Sequence, residues 1–67
     1  MSYCTVNGRQ HELEEGENVA RLLERLDVPG RYALVEQNGE PVERSRYEEV
    51  TLGAGDRIIV ARPVAGG

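Results

Sequence analysis

Asn18-Val19-Ala20-Arg21-Leu22-Leu23-Glu24-Arg25-Leu26 is the stretch that decides the fold. Val19, Leu22, Leu23 and Leu26 recur at i, i+3, i+4 and i+7, the spacing that lines one face of an α-helix. Arg21, Glu24 and Arg25 take the other face. Asn18 suits an N-cap, because its side-chain oxygen can accept from first-turn amides that have no helical partner. Glu17 places a negative charge at the positive end of the helix dipole. Asp27-Val28-Pro29-Gly30 ends the run, since proline cannot continue a helix.

One amphipathic helix needs an apolar surface to cover, and the flanking sequence reads as strands. Residues 2–6 (SYCTV) and 9–13 (RQHEL) flank Asn7-Gly8, whose residues tolerate the positive φ of a hairpin turn. Residues 32–37 (YALVEQ) form a third strand, followed by a second turn at Asn38-Gly39. Pro41-Val42 is confined to a short or edge segment, because proline gives the ladder no donor. Residues 43–49 are polar, a loop or a single helical turn, and residues 50–52 are a candidate short strand. After the Gly53-Ala54-Gly55-Asp56 turn, residues 57–61 (RIIVA) are β-branched and bounded by turn residues, the strongest strand signal in the chain. Packing the helical stripe on one face of these strands satisfies both layers. The expected architecture is therefore α+β: a β-grasp, ubiquitin-like fold, with a small mixed sheet of four to five strands on one helix and a flexible C-terminal tail.

At 67 residues the chain makes one domain, residues 1–67, of which 62–67 are expected to be an extended tail. It has no Trp and no Phe, so the core is aliphatic with help from three Tyr. So small an interior leaves little room for a catalytic cleft, which argues against an enzyme. The net charge of −4, with both signs mixed, argues against nucleic acid. No apolar run approaches the roughly 20 residues of a membrane span, and no signal peptide opens the chain. Cys4 is the single cysteine, which makes an internal disulfide impossible and a cytoplasmic setting the expectation. Every basic residue is Arg, so Schiff-base chemistry and isopeptide chains on this protein's own lysines are excluded.

The sequence closes on Gly66-Gly67. Composition alone puts two glycines at a chain end roughly once in 200, so the pair acquires meaning only from its context. Here it comes after the last strand by way of a short segment beginning at Pro63, five residues that reach roughly 17 Å when extended. Glycines have no side chain and wide backbone freedom, so such an end threads a channel closed to bulkier residues. The expectation is a reactive terminal carboxylate on Gly67, with Gly66, Ala65 and Val64 as the threading segment.

Other candidates read more plainly. Cys4 lies in a strand and reads as a small buried hydrophobe. His11 is a lone imidazole in a polar hairpin and reads as a surface histidine, with no metal site. Glu12, Glu14, Glu15 and Glu17 read as a solvated acidic edge. The two Asn-Gly pairs read as turns only. Within the last strand, Ile58 and Val60 are expected inward on the analogy with ubiquitin-like folds, which leaves Ile59 outward as a partner-docking contact.

Taken together these pieces resemble the thiamin-biosynthesis sulfur carrier proteins, the ThiS family. The resemblance covers essentially the whole chain. It rests on Asn7-Gly8, the Gly16-Glu17-Asn18-Val19 entry to a Leu-Leu helix, and the stretch 33–44 (ALVEQNGEPVER). Gly55-Asp56-Arg57-Ile58 and the terminal Val64-Ala65-Gly66-Gly67 complete it. The chain departs from the family at Glu43, where members commonly carry proline; here the proline is Pro41.

The resemblance implies a carrier rather than an enzyme. An adenylyltransferase-type activating enzyme, using ATP, would convert the Gly67 carboxylate to an acyl-adenylate. Sulfur from a cysteine desulfurase or another donor would then give a thiocarboxylate for thiazole synthase. No bound cofactor is implied. Two alternatives share the tail: a molybdopterin synthase small subunit-like carrier, and a ubiquitin-like modifier joined through Gly67 to a target lysine.

Overall fold

The structure is a computed structural model and describes residues 1–63. Five strands and one α-helix occur in the order β1 (Ser2–Val6), β2 (Arg9–Leu13), α1 (Val19–Arg25), β3 (Leu34–Gln37), β4 (Glu40–Val42) and β5 (Arg57–Ala61). The sheet order is β2-β1-β5-β3-β4. β1 and β5 run parallel at its centre, and the other pairs are antiparallel. The strand read as most certain from its β-branched residues is thus the central one, and Pro41 sits on an edge strand as its missing donor requires.

The helix lies on one face. Val19, Leu22 and Leu23 meet Cys4, Val6, Val35 and Ile58 of the sheet, and Ala33, Tyr47 and Leu52 of the connections close the core. Tyr47 is buried because its hydroxyl has a partner there, donating to the Ala33 carbonyl at 2.9 Å. Asn18 caps α1 as expected, its Oδ1 accepting the Arg21 N–H at 2.7 Å. Residues 50–52 contribute a single bridge, Thr51 opposite Asn18, rather than a strand. Beside it the Val19 N–H donates to Val50 and the Leu52 N–H to Glu17, tying the helix entry to this segment.

Three further expectations need correction. The third strand starts at Leu34 rather than residue 32, because Gly30–Tyr32 close a 3₁₀ turn through Tyr32 N–H to Pro29 and Ala33 N–H to Gly30. The helix is not stopped by Pro29. It ends at Arg25 in a Schellman arrangement: Val28 N–H donates to the Leu23 carbonyl, Asp27 N–H to Glu24, and Asp27 takes a left-handed φ of 59°. Leu26, expected in the apolar stripe, is consequently the C-cap residue and 38% exposed.

The third correction concerns Glu17, expected on a solvated acidic edge. It is 2% exposed. Its Oε1 accepts the Glu14 N–H at 2.8 Å and a hydrogen bond from Arg25 Nη1; its Oε2 lies 3.0 Å from His11 Nε2. Arg25 also donates to the Glu12 carbonyl. A charge leaves water only when it is paired and hydrogen-bonded, and here hairpin, loop and helix supply the partners. His11 is correspondingly half-buried rather than a free surface imidazole.

Candidate functional site

The expected chemistry of this chain concentrates at β5 and in the residues beyond it. Alternation along β5 sends Ile58 into the core at 1% exposure and leaves Val60 half-buried against it. Ile59 faces the other way, away from α1, and is 46% exposed. The register places Ile59 opposite Glu36 of β3, and Ala61 opposite Leu34. Leu34 is 54% exposed and Ala61 is exposed as well. The outer face of the sheet therefore carries an apolar group of Leu34, Ile59 and Ala61 near the end of β5, bordered by Glu36 and Arg57. Leu34 was not among the expected site residues, although strict alternation from the buried Val35 would have found it.

The strand that leads to the C-terminal segment is firmly held. β5 is hydrogen-bonded to neighbours on both sides. At its start the Asp56 carboxylate accepts from Gly53 N–H at 2.8 Å, Gln37 Nε2 at 3.0 Å and Asn38 Nδ2 at 3.1 Å. Burial acts to raise the Asp56 pKa, but these three donors outweigh it and hold the carboxyl below its usual value. Arg62 and Pro63 come directly after β5 and are exposed. The expected reactive residue Gly67 and the threading residues Gly66, Ala65 and Val64 lie outside the described residues.

The body of the domain offers little competing chemistry. Cys4 is 2% exposed, and burial pushes its thiol pKa up, with the charges of Glu17 and Asp56 acting the same way. Both effects oppose the thiolate that a nucleophile or sulfur acceptor needs. Among the described residues no group of three His, Cys, Asp or Glu side chains is placed to hold a metal ion. Among them, too, no helix is long and apolar enough to cross a membrane.

Comparison with known proteins gives a consistent picture. The family model described as the ThiS family matches residues 3–67. The chain is 35% identical to the thiamine biosynthesis protein ThiS of Geobacter metallireducens, whose crystal structure superposes with a TM-score of 0.79 over 97% of this chain and 99% of that one. The solution structure described as a thiamine biosynthesis protein from the same organism gives 0.76 at 35% identity, over 97% and 87% of the two chains. A thiazole synthase of Paramagnetospirillum magneticum is 32% identical over 62 residues, which are 92% of this chain and 19% of that protein. The chain therefore spans about a fifth of that relative's length.

Proposed function

The chain belongs to the ThiS family, and on that premise we propose that it is a sulfur carrier of thiamin biosynthesis whose reacting group is the Gly67 carboxylate. A terminal carboxyl has a pKa of about 3.5, so at neutral pH it is an anion and a poor electrophile. Activation makes it reactive. The carboxylate attacks ATP on an adenylyltransferase-type enzyme, pyrophosphate leaves, and an acyl-adenylate forms at Gly67. A persulfide from a cysteine desulfurase or equivalent donor then displaces AMP to give an acyl disulfide at Gly67. A thiol cleaves its S–S bond, is itself oxidised to a disulfide, and releases the thiocarboxylate, a soft, unhindered nucleophile. Similarity to part of a thiazole synthase supports such an enzyme as the acceptor that takes this sulfur.

The domain contributes no acid, base or metal ligand to these steps. It presents a backbone terminus, and its partners perform the catalysis. Gly66 gives clearance in the activating enzyme's channel, with Ala65 and Val64 threading behind it. The Leu34/Ile59 face gives the partner a surface to dock on, next to the strand from which the reactive segment leaves.

The observation that carries this proposal is that the family match extends through residue 67, so the diglycine lies inside the family pattern. The deciding experiment is intact mass spectrometry after incubation with ATP, activating enzyme and a sulfur donor. The expected result is a free protein heavier by the difference between sulfur and oxygen. Deleting Gly67 should abolish the change, and Gly66→Ala should slow it. Full adenylate formation on the chain lacking Gly67 sinks the proposal; high-mass conjugates in place of the sulfur adduct favour a protein modifier.

A further inference from the structure

Asn7 does more than its turn requires. As the first residue of an Asn-Gly turn it needs only to accept a left-handed backbone, and its φ is 52°. Its side chain is bonded to β5, 53 positions away in sequence. Asn7 Oδ1 accepts the Val60 N–H at 2.8 Å, and Asn7 Nδ2 donates to the Val60 carbonyl at 3.1 Å.

The parallel ladder explains the geometry. Alternate residues from Asp56 into β5 face β1: the Asp56 carbonyl accepts from Thr5 N–H at 3.0 Å, and the Ile58 carbonyl accepts from Asn7 N–H at 2.9 Å. Val60 is next in that series, but β1 ends at Val6 and the chain turns away through Asn7-Gly8. The Asn7 carboxamide takes the place of the missing peptide, offering one acceptor and one donor to Val60. β5 is thereby held on its β1 side one rung further than β1 itself extends.

Asn38, in the other Asn-Gly turn, grips the opposite end. Its Oδ1 accepts Arg57 N–H at 2.9 Å, and its Nδ2 donates to Asp56 at 3.1 Å. The entry and the exit of β5 are thus each fastened by an asparagine side chain, and only the exit lies at the root of the C-terminal segment. Without Asn7, Val60 would present both peptide groups to solvent on that side. The exit would then hang on the β3 pairs Val35–Val60 and Leu34–Ala61 alone.

We propose that Asn7 is a positioning residue: its carboxamide fixes the direction in which the chain leaves β5, and so where the reactive end at Gly67 is presented to the activating enzyme. The functional half of this rests on the carrier function proposed above. A misplacement of about 1 Å at a reacting group costs on the order of 10²-fold in rate. Val60 is seven residues from Gly67, which dilutes an error in direction, so a loss of about tenfold in kcat is expected.

The test uses the full chain and three variants. Asn7→Gly keeps the turn and removes both bonds; Asn7→Asp keeps the acceptor and loses the donor. Asn38→Gly removes comparable bonds at the entry of β5. With the adenylylating enzyme, pyrophosphate exchange should show kcat reduced about tenfold in Asn7→Gly, with KM within about twofold because the Leu34/Ile59 face is intact. Asn7→Asp should fall between, and Asn38→Gly should keep its kcat. On the isolated proteins, ¹⁵N relaxation should show lower order at Ala61 and Arg62 in Asn7→Gly and not in Asn38→Gly. An unchanged kcat, equal kcat losses at Asn7 and Asn38, or unchanged relaxation overturns the proposal. An unaltered protein that the enzyme fails to adenylylate overturns the carrier function, and with it the effect on rate; the relaxation measurement then decides the anchor by itself.

Discussion

Replacing Ile59 and Leu34 together by threonine tests the outer sheet face as a docking surface. Threonine is β-branched and favoured in strands, so the change at both positions is mainly one of apolar area. Ile59 is 46% exposed and Leu34 is 54% exposed. Full burial of such a side chain stabilises by roughly 1.5–3 kcal/mol, so covering the exposed half of each in a complex is worth about 1 kcal/mol. The pair then contributes about 2 kcal/mol, or roughly 30-fold in KM at 1.4 kcal/mol per tenfold. Losing the already buried halves costs a similar ~2 kcal/mol of fold stability. At roughly 0.1 kcal/mol per residue the domain has several kcal/mol to lose, so the variant stays folded. The control is Leu26→Thr, a partly exposed leucine at the helix C-cap, in the layer opposite the proposed dock. In the pyrophosphate-exchange assay the double variant should show KM raised about 30-fold and kcat little changed, while Leu26→Thr leaves KM alone. A double variant whose KM stays within about twofold of the original, with its melting temperature confirming a folded protein, refutes the docking surface.

Glu17→Ala should lower stability by about 3 kcal/mol, because it takes the buried carboxylate away from Arg25, His11 and the Glu14 N–H at once. Thermal unfolding should fall by more than about 12 °C, and a drop under about 4 °C would show that the buried carboxylate carries little. Asp56 has a folded pKa below its unfolded value, so its stabilisation is fully present above about pH 4 and is lost as pH falls through the folded value. Urea midpoints should therefore drop below about pH 4, less steeply in Asp56→Asn; equal slopes would contradict this assignment. Asp27→Gly should raise stability by about 0.5 kcal/mol, since glycine takes the φ of 59° without the Cβ penalty, and a lower urea midpoint would refute it.

Local rules carried the sequence reading a long way. The Asn7-Gly8 and Asn38-Gly39 turns, the Asn18 cap and the alternation of Ile58 with Ile59 each depend on neighbours within a few residues, and each appears as expected. Two of the misses have a common cause, which is distance along the chain. Glu17 looked solvated because nothing near it in sequence announces that Arg25 and His11 converge on it from a helix and a hairpin. Asn7 looked like a turn residue because its second set of partners is at Val60. Asp27 misled for a different reason. Pro29 offered a sufficient stop signal, and only the backbone angles show that the chain had already reversed hand two residues earlier.

The segment proposed to react follows β5, the strand at the centre of the sheet. A group that partners must find and seat repeatedly is best carried by the strand least able to move. In a five-stranded sheet ordered β2-β1-β5-β3-β4, that strand is β5. An edge strand such as β4 is held on one side and frays; β5 is laddered to β1 and β3. It is also pinned from the helix side by Ile58, one of the largest fully buried side chains. Parallel pairing with the first strand has a further consequence, because β1 must turn away before β5 ends. A side chain that imitates a peptide is a direct way to continue the ladder past that point. Asn is the residue that provides a matched donor and acceptor while accepting the left-handed backbone of a hairpin turn. Glutamine has the same amide but lacks the asparagine preference for that backbone, and aspartate has the preference but lacks the donor. The double demand at position 7 therefore selects one side chain, where a turn alone would admit several.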